Sequence, residues 1–453
     1  MRYSPNTFQP LTFFDAVARF LDRTDDPRAY LERCLDVIAE REPVVKAWVV
    51  LNLPGAREAA DASATRYREG RPISSIDGMP IGIKDLIETK DMPTGHGCAA
   101  FAGNDTGRDS ALVRALRDAG AVILGKTVTT EMGGSFPGPT TNPFDAGRTP
   151  GGSSSGSAAA IGARMVPAAI GTQVGGSLIR PASYCGNCAL KPTMGALHRG
   201  ERQGYSQSHV GVHAGSLRDM WHVAIEIARR AGGDPGQPGL FGAPELSPPQ
   251  RPARLIVMET AGWPKLDTKT QEGFEHLLGA LRDLGVEVLR RDDNPLIEAF
   301  ERGVGEAAAI TTDICDWENR WSFENLVEQH PGKYSDALYR RLEAGRKLTL
   351  DDYRMRLLQR EEVRRRLLAI APLADALISV ASPGPAPRGL ASTGDSIFNT
   401  PTSILGAPAV TVPVMPIEGM PVGIQIVGQR HSDARIAGIT RWVFETLRPI
   451  AID

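Results

Sequence analysis

Short apolar runs and helix-patterned stretches alternate along most of this chain, and that alternation points to a layered α/β fold. The N-terminal portion reads as helices. Asp26-Pro27 supplies an N-cap and a first-turn proline, Leu31, Cys34, Leu35 and Ile38 mark one face, and a second helix over 56–69 stops at Gly70. From Met79 the texture changes: Met79-Pro-Ile-Gly-Ile83 alternates like a short strand and delivers Lys84 and Asp85 at its end. Ser110 stands where it would cap a helix carrying Ala111, Leu112 and Leu116 and closing at Gly120, after which 121–124 reads as a buried strand. Ser216-Leu-Arg-Asp219 has the form of a capping box and opens a helix to about Arg230. A Gly/Pro-rich link over 232–252 precedes a strand at 254–258. Helices are expected at 266–284, 296–320 and 350–370, and strands at 376–380, 409–414 and 422–427. No repeat of 20–50 residues interrupts this order, so one large domain with an inserted helical stretch is expected over the 453 residues.

Charge and composition narrow the function class. With 51 Lys+Arg against 53 Asp+Glu the chain carries no basic excess, which argues against nucleic acid as a main partner. The longest weakly apolar stretch, 161–179, is broken by glycines, Pro167, Gln173 and Arg164, so no membrane span is expected. Met1-Arg-Tyr-Ser-Pro-Asn6 lacks the apolar core of a signal peptide, and five cysteines make an odd, sparse set. A cytoplasmic protein is the expectation. Cys185-Gly-Asn-Cys188 is a CxxC without a second pair or a His pair to complete a zinc site, and Pro181 and Pro192 flank it, so a structural role is expected.

Two motif matches fail in context. Gly120-Ala-Val-Ile-Leu-Gly125-Lys126-Thr127 satisfies the phosphate-loop pattern, but its middle residues read as the strand itself and a helix precedes them. Backbone groups paired in a sheet do not also cradle phosphate. Gly152-Ser-Ser154-Ser-Gly156 satisfies the nucleophile-elbow pattern, yet a loop rather than an apolar strand leads into it. The rival it leaves is an α/β-hydrolase-like esterase using Ser154 and His431, with Asp433 nearby; it predicts that His431→Ala abolishes activity.

The 48 glycines acquire meaning between Thr149 and Thr193. Gly151-Gly152-Ser153-Ser154 and Gly175-Gly176-Ser177 each set a serine where glycine permits close approach. Successive N–H groups over Val174, Gly175, Gly176 and Ser177 are able to converge on a developing oxyanion, as acyl transfer demands. A serine nucleophile needs a base, and no well-placed His pair is present. Lysine serves if burial lowers it from about 10.4 toward neutrality, which disfavours its charge by ~4 kcal/mol. Lys84 at a strand end is the candidate. On composition alone, a flexible Gly-Ser loop and a solvated lysine stay open as the plainer account.

The residues Gly78-Met-Pro-Ile-Gly-Ile-Lys84-Asp85, Thr149-Pro-Gly-Gly-Ser-Ser154, Gly171-Thr172, Gly175-Gly-Ser177, Arg180-Pro181, Cys185-Gly186 and Leu190-Lys-Pro-Thr193 together resemble the amidase signature family. The spacing, 69 residues from Lys84 to Ser153 and 24 from Ser153 to Ser177, is similar to that family's signature. The match is tight over 77–193 and looser at 27–41 and 376–427. The resemblance implies a single α/β/α amidase domain over 1–453, with a large mixed sheet flanked by helices. In it 77–193 is the signature core, and the helical stretch at 294–372 shapes the substrate pocket. It also implies Ser177 as nucleophile, Lys84 as ultimate base, and Ser153, preceded by a cis peptide, as the serine that relays a proton between them. Val174, Gly175, Gly176 and Ser177 would supply the oxyanion N–H groups, with Ser154 and Thr172 in support, and neither metal nor cofactor. The reaction implied is an acyl-enzyme at Ser177 that releases ammonia or an amine and is then hydrolysed. A small amide as ligand, a homodimer, and no nucleic-acid or membrane partner complete the expectation.

Three departures modify it. Ser155 stands where the family often has Gly, Gln173 replaces a frequent Asp, and the arginine follows Ser177 by three residues rather than two. The last two resemble the malonamidase branch, whose arginine holds a substrate carboxylate, so Arg180 points to a small acidic amide; bracing of the sheet through carbonyls is the equal alternative. An A-type amidotransferase component that feeds ammonia to a partner is a second role found in the family, and a non-catalytic scaffold is a third.

Overall fold

A computed structural model describes residues 2–134, 136–200 and 206–448, and an 11-stranded sheet runs through its middle. The strands are β1 (Trp48–Leu51), β2 (Pro80–Lys84), β3 (Val122–Thr127), β4 (Ala168–Gln173), β5 (Cys188–Lys191), β6 (His209–Ala214), β7 (Arg254–Val257), β8 (Glu287–Leu289), β9 (Ala376–Val380), β10 (Ala409–Ile417) and β11 (Met420–Val427). Their order is β1-β3-β2-β4-β6-β5-β10-β11-β9-β7-β8. β2 lies parallel to β3 and β4, and β7 parallel to β8 and β9. The other neighbours pair antiparallel, which makes the sheet mixed.

Alternate residues of single strands enter different cores, so both faces are covered. Ile123 and Ile170 join one apolar cluster while Val122, Leu124 and Ala169 join another. Leu255 and Ile256 divide the same way between the first cluster and a third. Such strands are buried throughout and show little polar alternation. The outermost strands, β1 and β8, are mainly half-buried with an exposed position each, and β7 has one at Arg254. Among the described residues no helix is long and apolar enough to cross a membrane.

Local signals were mostly sound, with instructive exceptions. The Asp26 side chain accepts from the Ala29 N–H at the start of Pro27–Val45 as its pattern predicts. The Ser216 hydroxyl accepts from the Asp219 N–H, but Asp219 does not close a capping box. Its carboxylate accepts instead from the N–H groups of Phe13 and Phe14, tying the N-terminal segment to the helix Leu217–Ala231. Ser110 precedes the helix Ala111–Asp118 without making a side-chain cap. The helix expected at 296–320 is two, Pro295–Gly305 and Ala307–Gln329. Gly303 and Gly305 weaken the helix at the break, each at about 1 kcal/mol relative to alanine. With Asp336–Lys347 and Leu350–Ala369, these helices fill the chain between β8 and β9.

The helix Ser155–Gly162 decides what lies under the sheet's central strands. All its residues are small except Ile161, and all are buried. A Cβ on Gly156 would lie 2.2 Å from the Ala47 carbonyl oxygen and 2.4 Å from the Val128 nitrogen; one on Gly162 would lie 2.2 Å from the Cys185 carbonyl oxygen. The helix therefore sits almost backbone to backbone on its neighbours, and its N-terminal loop reaches the end of β2.

Candidate active site

Three segments meet at one end of the sheet. β2 ends in Lys84, β4 ends in Thr172 and Gln173, and the loop before Ser155–Gly162 brings Ser153 and Ser154. The carboxyl ends of parallel strands are where open α/β sheets place their ligand crevices. The Gly152–Ser153 peptide bond is cis.

Lys84 is fully buried, and its Nζ lies 2.6 Å from the Ser153 Oγ, 2.8 Å from the Thr172 Oγ1 and 3.0 Å from the Ser154 Oγ. Among the described residues it has no carboxylate partner. Burial alone pulls its amine well below the usual lysine range. A neutral amine has two N–H donors and one lone pair, so one of the three hydroxyls must donate to it. Ser154 is committed elsewhere: its hydroxyl donates to the Thr172 carbonyl at 3.2 Å and accepts the Thr172 N–H. The Ser153 hydroxyl stands closest and makes no other hydrogen bond to a described residue, which suits it to hand its proton to Lys84.

After β4 the chain turns through Val174, Gly175, Gly176 and Ser177 into the helix Ile179–Cys185. Gln173, which the sequence marks only as a departure, builds this turn. Its Oε1 accepts the N–H groups of Leu178 and Ile179 at 2.9 and 3.0 Å, and its Nε2 donates to the Ser403 Oγ, which donates to the Gly175 carbonyl. Outside the β-ladder, the N–H groups of Val174, Gly175, Gly176 and Ser177 donate to no described residue. The Ser177 hydroxyl is likewise unengaged among the described residues and opens, with Ser153 and Thr172, on a cavity of about 300 Å³. No direct hydrogen bond joins Ser153 to Ser177.

Arg180 lines the same cavity and is buried, which lowers its guanidinium from the ordinary value. Both sequence readings find support. Its Nη2 donates to the Gly152 carbonyl at 2.7 Å and to the Thr393 Oγ1 at 3.0 Å; its Nε is enclosed without a described partner, and no described carboxylate pairs with the guanidinium. Thr393 escaped sequence reading, as did the far wall from the inserted helices: Thr311, Thr312, Cys315, Asp316 and Arg341. They lie over a hundred positions from the signature residues and form no motif.

The other candidates lie apart from this chemistry. Ser154 is fully buried under Lys84 and Thr172, whereas His431 is exposed against Phe241, so the two form no nucleophile–base pair. The phosphate-loop match is β3. Its Lys126 is buried and donates to the Ile87 carbonyl at 2.8 Å and the Thr94 Oγ1 at 2.7 Å, 3.4 Å from the Asp85 carboxylate. Cys185 and Cys188 are both free and buried, and burial pushes the Cys188 thiol up to about 12.

The family model described as Amidase matches residues 29–437. The chain is 32% identical to the A-type component of the glutamyl-tRNA(Gln) amidotransferase of Chloroflexus aggregans, over 89% of this chain and 90% of that protein. A crystal structure of an amidase superposes with a TM-score of 0.84 at 27% identity, over 96% of this chain and all of the other. A bacterial aryl acylamidase described as an amidase signature enzyme shares the fold, with a TM-score of 0.84 at 20% identity over 97% of each chain.

Proposed function

This chain belongs to the amidase signature family, hydrolases of amide C–N bonds, and on that premise we propose that it cleaves a small amide by itself through an acyl-enzyme on Ser177. The observation that carries the reading is the buried, carboxylate-free Lys84 amine 2.6 Å from Ser153, in a site that also opens Ser177 to the cavity. Ser177 Oγ attacks the amide carbon and its proton passes to Ser153 Oγ as Ser153 gives its own to Lys84 Nζ. The oxyanion settles against the N–H groups of Val174, Gly175, Gly176 and Ser177. The proton returns through Ser153 to the leaving nitrogen, which departs as ammonia or an amine. Water then attacks the ester along the same relay and restores Ser177. Ser154 and Thr172 hold the Lys84 amine in line.

Arg180 gives the substrate a sign. A guanidinium at the cavity wall that pairs with no described carboxylate favours an amide that carries one, of malonamate type. The reading includes a cytoplasmic homodimer without nucleic-acid or membrane partners. The second reading, an A-type amidotransferase component, has the likeness to the Chloroflexus protein in its favour.

Ammonia release from the purified chain on acidic, neutral and aromatic amides, with glutamine beside them, separates the two. Turnover of simple amides but not of glutamine is expected. Ser177→Ala should lower it by on the order of 10³ or more, and wild-type rates in that variant would sink the assignment. Arg180→Ala should raise KM selectively for carboxylate-bearing amides; an equal rise for neutral ones would remove the acidic substrate and leave the amidase.

A further inference from the structure

The cavity has a second charged wall for which the relay and Arg180 have no use. Into the cavity that Ser177 lines, the helix Ala307–Gln329 brings Asp316, and the helix Asp336–Lys347 sets Arg341 beside it. Asp316 is only 5% exposed, yet it lines the cavity. The Arg341 Nε donates to its Oδ1 at 2.9 Å, while its Oδ2 accepts no hydrogen bond from any described residue. Oδ2 is not fully enclosed, and Asp316 lines the cavity. Burial raises the Asp316 carboxyl above its ordinary value, and the adjacent guanidinium opposes that rise.

The composition of the wall makes this oxygen distinctive. Asp316 is the sole carboxylate among the described residues lining the cavity. Its neighbours Thr311 and Thr312 carry hydroxyls, and burial keeps the Cys315 thiol protonated, up to about 12. An ionised carboxylate with one oxygen bonded and one facing a pocket is an acceptor only, and it is satisfied by a donor brought in by the ligand.

Building on the Ser177 and Arg180 reading, we propose that Asp316 is a specificity determinant that accepts a hydrogen bond from an ammonium or hydroxyl group on the substrate. The substrate class becomes an amide of malonamate-like length, shorter than glutamine, with a carboxylate for Arg180 and an N–H or O–H donor for Asp316. Sites that hydrogen-bond a substrate donor reject the analogue lacking it, because the buried acceptor is then left unpaired.

Calorimetric titration of the corresponding product acids tests this without relying on turnover. Succinate lacks the donor, malate carries a hydroxyl and aspartate an ammonium. The intact wild-type protein is expected to bind malate, aspartate or both at least tenfold more tightly than succinate, and the arm that wins names the donor. Asp316→Asn keeps an oxygen for Arg341 and turns an NH₂ toward the ligand, so the ratio should fall to about one. A ratio near one in the wild type, no binding of any of the three, or an undiminished ratio in Asp316→Asn would each overturn the proposal. The wild-type ratio decides even if the variant fails to fold. Failure of the Ser177 chemistry appears separately, as ammonia release that survives Ser177→Ala.

Discussion

At the scale of single residues, the site depends on one costly placement: an amine in a fully buried position with only hydroxyls around it. The burial that lowers the Lys84 amine disfavours its charged form, and so makes it a destabilising group at neutral pH. The direction follows from linkage. With its amine depressed in the folded state and ordinary in the unfolded chain, the unfolded state binds more protons between those two values, so stability rises with pH through that window. Lys84→Met removes this dependence while Lys126 and Lys191 remain in both proteins. The difference in unfolding free energy, measured in denaturant from pH 7 to 10, should therefore move in favour of wild type as pH rises, and turnover by the variant should be lost. A difference that stays flat would mean that Lys84 is charged in the folded protein. The candidate serines and this lysine were legible because their spacing is local information. Gln173 was legible only as an oddity, since its bonds to the Leu178 and Ile179 N–H groups follow no sequence motif and its third partner, Ser403, lies more than two hundred positions away.

At the scale of elements, the run Ser155-Gly-Ser-Ala-Ala-Ala-Ile-Gly162 explains why a stretch so poor in large side chains is wholly buried. Its smallness sets how near the helix comes to β3 and to the Cys185 turn, and so where Ser153 sits relative to Lys84. Gly156→Ala is the sharpest probe, because the added methyl would fall within 2.4 Å of two backbone atoms that have no freedom to rotate away. A loss of about 3 kcal/mol is expected in equilibrium denaturation, together with reduced amide turnover; a neutral effect would show that the helix slides freely. Elements with strong periodicity or breakers were read well from sequence, among them 27–45 and 350–369. β4 was not, since Ala168-Ala-Ile-Gly-Thr-Gln173 has too little β-branched character to announce a strand and owes its state to β2 and β6 on either side. The split at Glu306 was also missed, the alanines beyond it being strong helix formers that mask the two glycines before it.

At the scale of the molecule, the lining of the cavity comes from well-separated stretches of the chain. The proposed relay and oxyanion turn occupy 84–180, while another part of the cavity lining comes from 311–341, which the chain inserts between β8 and β9. That insertion is not a loosely tethered cap. Ile297, Phe300, Val304, Ile310 and Ile314 share a core with Ile256, Leu377 and Val427 of the sheet. Its outer part is latched separately: the Glu131 carboxylate accepts the Ser335 N–H at 2.9 Å and the Ser335 hydroxyl, beside a small cluster of Phe323, Tyr334, Leu338 and Leu342. A shared core means that the insert cannot melt before the sheet. Phe300 is fully buried in it, and Phe300→Ala should cost about 3–5 kcal/mol, lowering the midpoint of a single unfolding transition reported alike by circular dichroism and by tryptophan fluorescence. Trp317 and Trp321 lie in the insert and Trp48 and Trp221 outside it, so the fluorescence samples both parts. An early fluorescence phase, with the circular dichroism of the sheet unchanged, would show instead that the cavity wall is an independent unit, able to open while the relay stays intact.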